Sequence, residues 1–103
     1  MALPASARPT AVFCATDMMA IAVIEAAKRR GLSVPADLAV AGIDNSPESA
    51  VCSPALTTVH SPFYEMGAQA GEMLRTLREA SQAEAPHVLL EPMLVTRAST
   101  GEL

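Results

Sequence analysis

Apolar positions along this chain follow two rhythms. Ala11-Val12-Phe13-Cys14-Ala15 is a short continuous apolar run, which is the pattern of a strand buried on both faces. Leu38-Ala39-Val40-Ala41-Gly42-Ile43 is a second such run, and Leu56-Thr57-Thr58-Val59-His60 predicts a third strand or an extended crossover. Between the first two runs the period lengthens. Ala20, Val23, Ile24 and Ala27 recur at helical spacing, with Ile21, Glu25 and Lys28 on a neighbouring stripe. That spacing predicts a helix over residues 18–30. Asp17 is the expected N-cap. Gly31 is the expected left-handed residue just past the helix end, with Leu32 packing back onto the last turn. Val34 to Asp37 makes a connection.

Asp44-Asn45-Ser46-Pro47 stops the second strand with turn-forming residues. Glu48 to Cys52 predicts one or two helical turns. Ser61-Pro62 opens a further helix, Ser61 as cap and Pro62 at the first helical position. Its expected apolar face is Phe63, Met66, Ala70, Met73, Leu74 and Leu77. Gly67 and Gly71, four apart on one face, imply close packing at most. The helix is expected to fray near Ser81 to Ala85. His87 to Leu90 and Leu94 to Arg97 predict two short strands. Residues 1–10 read as a flexible tail, and Ser99 to Leu103, with residues 101–103 as the tail proper, as a mobile end. The order is strand, helix, strand, turn, strand, helix, strand, strand. That is an α/β pattern compatible with a doubly wound, mostly parallel sheet. In such sheets ligands sit outside the carboxyl ends of the strands, which is where Thr16, Asp17, Asp44 and Asn45 fall.

Composition narrows the function classes. The chain has 103 residues, half of them apolar, and seven basic against eleven acidic residues give a net charge of −4. The one basic cluster, Lys28-Arg29-Arg30, closes a predicted helix, so the segment is not itself a strongly basic nucleic-acid binder. Twenty alanines and only three aromatics argue against a base-stacking platform. Cys14 and Cys52 have no metal-ligand spacing and are expected to be free thiols. No run reaches the roughly 18 apolar residues of a membrane span, and the first residues make a poor signal peptide.

Specific chemistry is sparse. Five scattered glycines form no phosphate loop. His60 and His87 have no close partner in sequence, so neither a metal nor a cofactor is expected. A nucleophile–base pair of Cys14 or Ser46 with His60 has no local support, and no enzyme is expected. Asp44 has two readings: a turn former or helix cap, or a carboxylate accepting hydrogen bonds from a small polar ligand such as sugar hydroxyls or a purine N–H. Thr16 is either a ligand hydroxyl or a plain polar strand end. His60 is either a structural hydrogen-bonding residue or a ligand contact.

Several ordered motifs carry a resemblance. Thr10 to Ala20 resembles the "A-x-D-x-x-A" segment of the LacI/GalR family of bacterial transcriptional repressors. Gly31 to Asn45 (GLSVPADLAVAGIDN) is similar to that family's "G-L-x-V-P-x-D-x-x-V-x-G-[FY]-D" segment. Ser53 to His60 and the close at Arg97 to Thr100 match further landmarks in order. Asn45 and Thr57-Thr58-Val59-His60 lean towards the purine-repressor branch. Ile43 replaces the usual aromatic before the aspartate, and Thr16 stands where sugar-responsive members often carry Asn.

The resemblance implies an incomplete periplasmic-binding-protein-like fold, the C-terminal part of a two-lobed effector-binding domain over residues 11–100. Residues 11–59 and 94–97 would belong to the C-terminal lobe, and 62–90 to the N-terminal lobe. It implies ligand contacts by Asp44 and by Phe63, with Thr16 and His60 as further candidates. It implies a homodimer surface at Ile21, Ile24, Val51 and Cys52, for which ordinary sheet packing is the other reading of the two isoleucines. The expected role is effector sensing, for a sugar or purine, and dimerisation in a cytoplasmic transcriptional regulator. Operator DNA would enter only through an N-terminal domain outside this sequence. The alternatives are a fragment of a periplasmic-type sugar-binding protein and a truncated reading frame without independent activity.

Overall fold

The computed structural model describes residues 4–80 and 86–101. The chain divides into two compact units, residues 1–60 with 93–103, and residues 61–92. The first unit holds β1 (Ala11–Phe13), α1 (Asp17–Arg29), β2 (Ala39–Ala41), α2 (Pro47–Val51), β3 (Thr58–His60) and β4 (Met93–Val95). The second holds α3 (Phe63–Glu79) and the segment that follows it.

β1 and β2 pair in parallel, Val12 opposite Val40. β3 and β4 pair antiparallel, Val59 opposite Leu94. Isolated parallel bridges, Ala41 with Thr57 and Asp44 with His60, connect the two ribbons. The backbone N–H groups of Gly42 and Asp44 donate to the carbonyls of Thr57 and Val59, each at 3.0 Å. The strands therefore run β1-β2-β3-β4, parallel except at the last. The chain has the α/β, doubly wound, mostly parallel arrangement that its pattern predicts.

The helix α1 buries Ala20, Ile24 and Ala27 against Leu38, Val40, Leu56 and Cys14. Ile24, Val40 and Leu56 are fully buried, each worth about 1.5–3 kcal/mol. The helix ends as its sequence dictates. Gly31 takes φ +74°; its N–H donates to the Lys28 carbonyl, and that of Leu32 to Ala27. This is a Schellman closure with Leu32 folded back onto the core.

Several expectations need correction. β1 is not buried on both faces: Phe13 is 66% exposed and only Cys14, just past the strand, is buried. No strand partner lies on the far side of β1 among the described residues. Residues 87–90 make no strand. They lie beside α3, where Val88, Leu89 and Leu90 with Met66 and Met73 line a cleft of about 290 Å³. α3 begins at Phe63 with Pro62 at the N-cap, and Ser61 makes no side-chain cap. Its apolar face is not buried: Met73 and Leu77 are half-buried and the rest of the helix is exposed. Gly67 and Gly71 have open space where a side chain would stand. The expected fraying at 81–85 lies outside the described residues. At the start, Ala5–Ala7 form a short 3-10 turn instead of a wholly irregular tail. At the end Ser99 is fully buried, not mobile. Its hydroxyl donates to the Val40 carbonyl at 2.6 Å and accepts from the Thr57 N–H at 2.8 Å, which fastens the chain end across the sheet.

Candidate functional site

The carboxyl end of β2 is where the backbone leaves its ordinary range. Asp44 has φ +134° and Asn45 φ +56°; the first is costly without a glycine, and the second is one that asparagine tolerates. Distant segments hold this turn. The Asp44 N–H is bonded to β3, the Asn45 N–H donates to Thr58 Oγ1 at 3.2 Å, and the Ser46 N–H donates to Asp17 Oδ2 at 2.8 Å.

Asp17 thus has a different role from the expected cap. Thr16 is the N-cap, its hydroxyl oxygen accepting from the Met19 N–H at 3.2 Å. Asp17 is fully buried, and its second carboxylate oxygen accepts from Thr58 Oγ1 at 2.5 Å. The sequence carried this signal. Asp17 lies on the same helical stripe as Ala20, Ile24 and Ala27, the stripe that faces the sheet. A carboxylate there must be hydrogen-bonded to survive burial.

A second polar network lies on the other side of the turn. The Arg97 guanidinium donates to Ser49 Oγ at 2.7 Å, the Leu56 carbonyl at 3.0 Å and Asn45 Oδ1 at 2.8 Å. Asn45 Nδ2 meets His60 Nδ1 at 3.2 Å. Sequence reading marked Arg97 only as a landmark and gave Ser49 and Thr58 no role. An arginine two residues past an apolar strand was the available signal, because its charge must find several acceptors.

Asp44 itself differs from these neighbours. No donor among the described residues bonds its half-buried carboxylate. It lines a groove of about 440 Å³ with Asp17, Met18, Ile21, Ser46, Glu48, Val51 and Cys52. Of the four candidate ligand residues, the sheet brings Asp44 and His60 together as bridge partners. Thr16 accepts the helix-cap bond on its hydroxyl oxygen and keeps its O–H and a second lone pair to offer. Phe63 belongs to the second unit, 56% exposed at the first residue of α3.

Of the four candidate dimer residues, Ile21, Val51 and Cys52 line the groove, Val51 being exposed. Ile24 is a correction. It has no exposed surface in its own core and nothing to present to a partner. Both thiols are free, and burial pushes the Cys14 pKa up. Among the described residues there is no cluster of metal-ligating side chains and no helix long and apolar enough to cross a membrane.

A family profile described as periplasmic binding protein-like domain matches residues 1–100. The chain belongs to this family, in its LacI/GalR branch. The HTH-type transcriptional repressor CytR of Escherichia coli strain K12 is 40% identical over 95 residues, covering 92% of this chain and 28% of the repressor. Among solved structures, the lac repressor dimer bound to operator and the anti-inducer ONPF matches 91% of this chain and 28% of its own, at TM-score 0.84 and 35% identity. A LacI family regulator from Lactobacillus casei with bound sucrose matches 94% of this chain and 35% of its own, at TM-score 0.78 and 36% identity. The chain therefore spans about a third or less of the proteins it resembles.

Proposed function

We propose that this chain is the effector-sensing and dimerisation segment of a cytoplasmic DNA-binding transcriptional regulator, with no catalytic step. In this reading residues 11–59 and 94–97 belong to the C-terminal lobe of the effector domain and residues 62–90 to the N-terminal lobe. The division of the chain into two compact units supports that assignment. Operator contact belongs to a segment outside this sequence, as befits a chain with net charge −4. A small polar effector, sugar or purine, is held by Asp44, with Thr16 and His60 of the same unit as further contacts. A second copy of the chain packs on the surface that carries the exposed Val51, with Ile21 and Cys52 beside it. The operator-bound lac repressor dimer and the sucrose-bound regulator support these partner classes.

The observation that carries the reading is the Asp44 carboxylate. It stands at the carboxyl end of a doubly wound sheet, on a turn of positive φ, without a donor among the described residues. A strained backbone maintained by surrounding bonds is a mark of functional sites. In the full-length regulator, Asp44→Asn should weaken effector binding by about 10- to 100-fold, since a hydrogen bond to a charged group is worth about 1.5–3 kcal/mol. Calorimetric titration with purine bases, pentoses and hexoses measures this. An unchanged Kd for the ligand that binds the parent protein would remove Asp44 from the site.

A further inference from the structure

We infer that Arg97, acting through Asn45, holds His60 as the neutral tautomer protonated on Nε2. His60 then offers an N–H donor beside the Asp44 acceptor. The inference deepens the effector reading and rests on it for its use, though not for its chemistry.

The chain of reasoning starts at the guanidinium. Arg97 has donors only, so the Asn45 atom at 2.8 Å from Nη2 must be the carbonyl oxygen. That fixes the amide plane, which a lone asparagine leaves ambiguous. Asn45 Nδ2 then faces His60 Nδ1 at 3.2 Å. An amide nitrogen only donates, so Nδ1 must accept and cannot carry the proton. A neutral imidazole has one proton, and it resides on Nε2.

Each link is anchored. Arg97 is held by Ser49 Oγ and the Leu56 carbonyl as well, and its own N–H donates to Thr57 Oγ1 at 2.8 Å. Asn45 is fixed at φ +56° by its N–H bond to Thr58. His60 lies in β3, paired with Met93 on one side and bridged to Asp44 on the other. Arg97 is therefore a positioning residue for the turn and for the imidazole. A ligand group taken by the pair of Asp44 and His60 must supply a donor to the carboxylate and an acceptor to the ring. Sugar diols and the amide edge of a purine have that arrangement.

Long-range nitrogen–proton correlation spectra of the unliganded chain, recorded above the imidazole titration range, test the assignment. The expected wild-type pattern has a bare Nδ1 and a protonated Nε2. Arg97→Gln should lose the preference and give a tautomer mixture, with the amide fingerprint retained outside the turn. Asn45→Asp should invert it, because a carboxylate facing Nδ1 requires a proton there. A wild-type ring protonated on Nδ1, or an Asn45→Asp variant that keeps the wild-type pattern, overturns the inference. Should Arg97→Gln fail to fold, the other two measurements still decide the tautomer and its Asn45 link, and a folded Arg97→Gln that keeps the wild-type pattern overturns the part given to Arg97. Because no ligand is added, the outcome is independent of whether Asp44 binds an effector.

Discussion

At the scale of single residues, Gly42 sits closely against Asp17. A Cβ on Gly42 would stand 2.5 Å from Asp17 Oδ1 and 3.1 Å from its Cα. The same carboxylate holds Thr58 and the Ser46 N–H, so it has no free direction in which to move. Gly42→Ala should therefore destabilise the chain by about 1–3 kcal/mol, the range for overpacking a filled interior. Denaturant unfolding followed by circular dichroism measures it, and a variant as stable as the parent would show that Asp17 yields. Glycine was visible in the sequence at this position, but its reason was not. A small residue near a strand end has many uses, and only the approach of α1 selects one. Asp17 was misread for a related cause. Both it and Thr16 have cap-competent side chains, and the choice between them depended on Thr58, 41 residues away.

At the scale of elements, what the sequence made legible is what local chemistry determines. The α1 stripe, the Gly31 closure and the three parallel strands follow from periodicity and from one left-handed residue. The failures concern elements whose state depends on neighbours. Residues 87–90 are apolar enough for a strand, but a strand needs a ladder partner, and the nearest element is α3. α3 itself formed as its pattern predicted, although its apolar face remains largely exposed. Local charge pairs contribute to it: Arg75 bonds Glu72 one turn before and Glu79 one turn after, the latter at 3.2 Å. The hydrogen bond and charge of Arg75 hold the Glu72 carboxyl below its ordinary range, and Glu72 raises Arg75 in turn. The sign of the consequence follows from linkage. A depressed carboxylate stabilises the folded helix above its unfolded pKa of about 4.3, and this is lost as pH falls through the lower, folded value. Lowering pH from 6 to 3 should speed amide exchange, corrected for intrinsic rates, in the middle of α3 more than in α1. Glu72→Gln should flatten part of that response; equal responses in parent and variant would discount the pair.

At the scale of the whole molecule, the proposed function places demands on more chain than these 103 residues supply. A small-molecule site typically encloses about 70–90% of its ligand's surface. Asp44, Thr16 and His60 lie in one compact unit and Phe63 in the other, and the segment spans 28% of the CytR length. On the proposed reading, most of the enclosing wall comes from the remainder of a regulator. One unpaired carboxylate and one imidazole donor give direction to a ligand but little desolvation. Their combined worth, about 2–4.5 kcal/mol, is well short of the roughly 8 kcal/mol that a micromolar Kd represents. The isolated chain should therefore bind purines, pentoses and hexoses more weakly than about 1 µM, and it should bind no operator DNA with sequence preference. Titration calorimetry and a gel-shift measurement on the chain alone check the two halves. A sub-micromolar Kd for any of these small molecules would mean that this chain alone suffices for binding, and the proposed dependence on further lobe structure would be wrong.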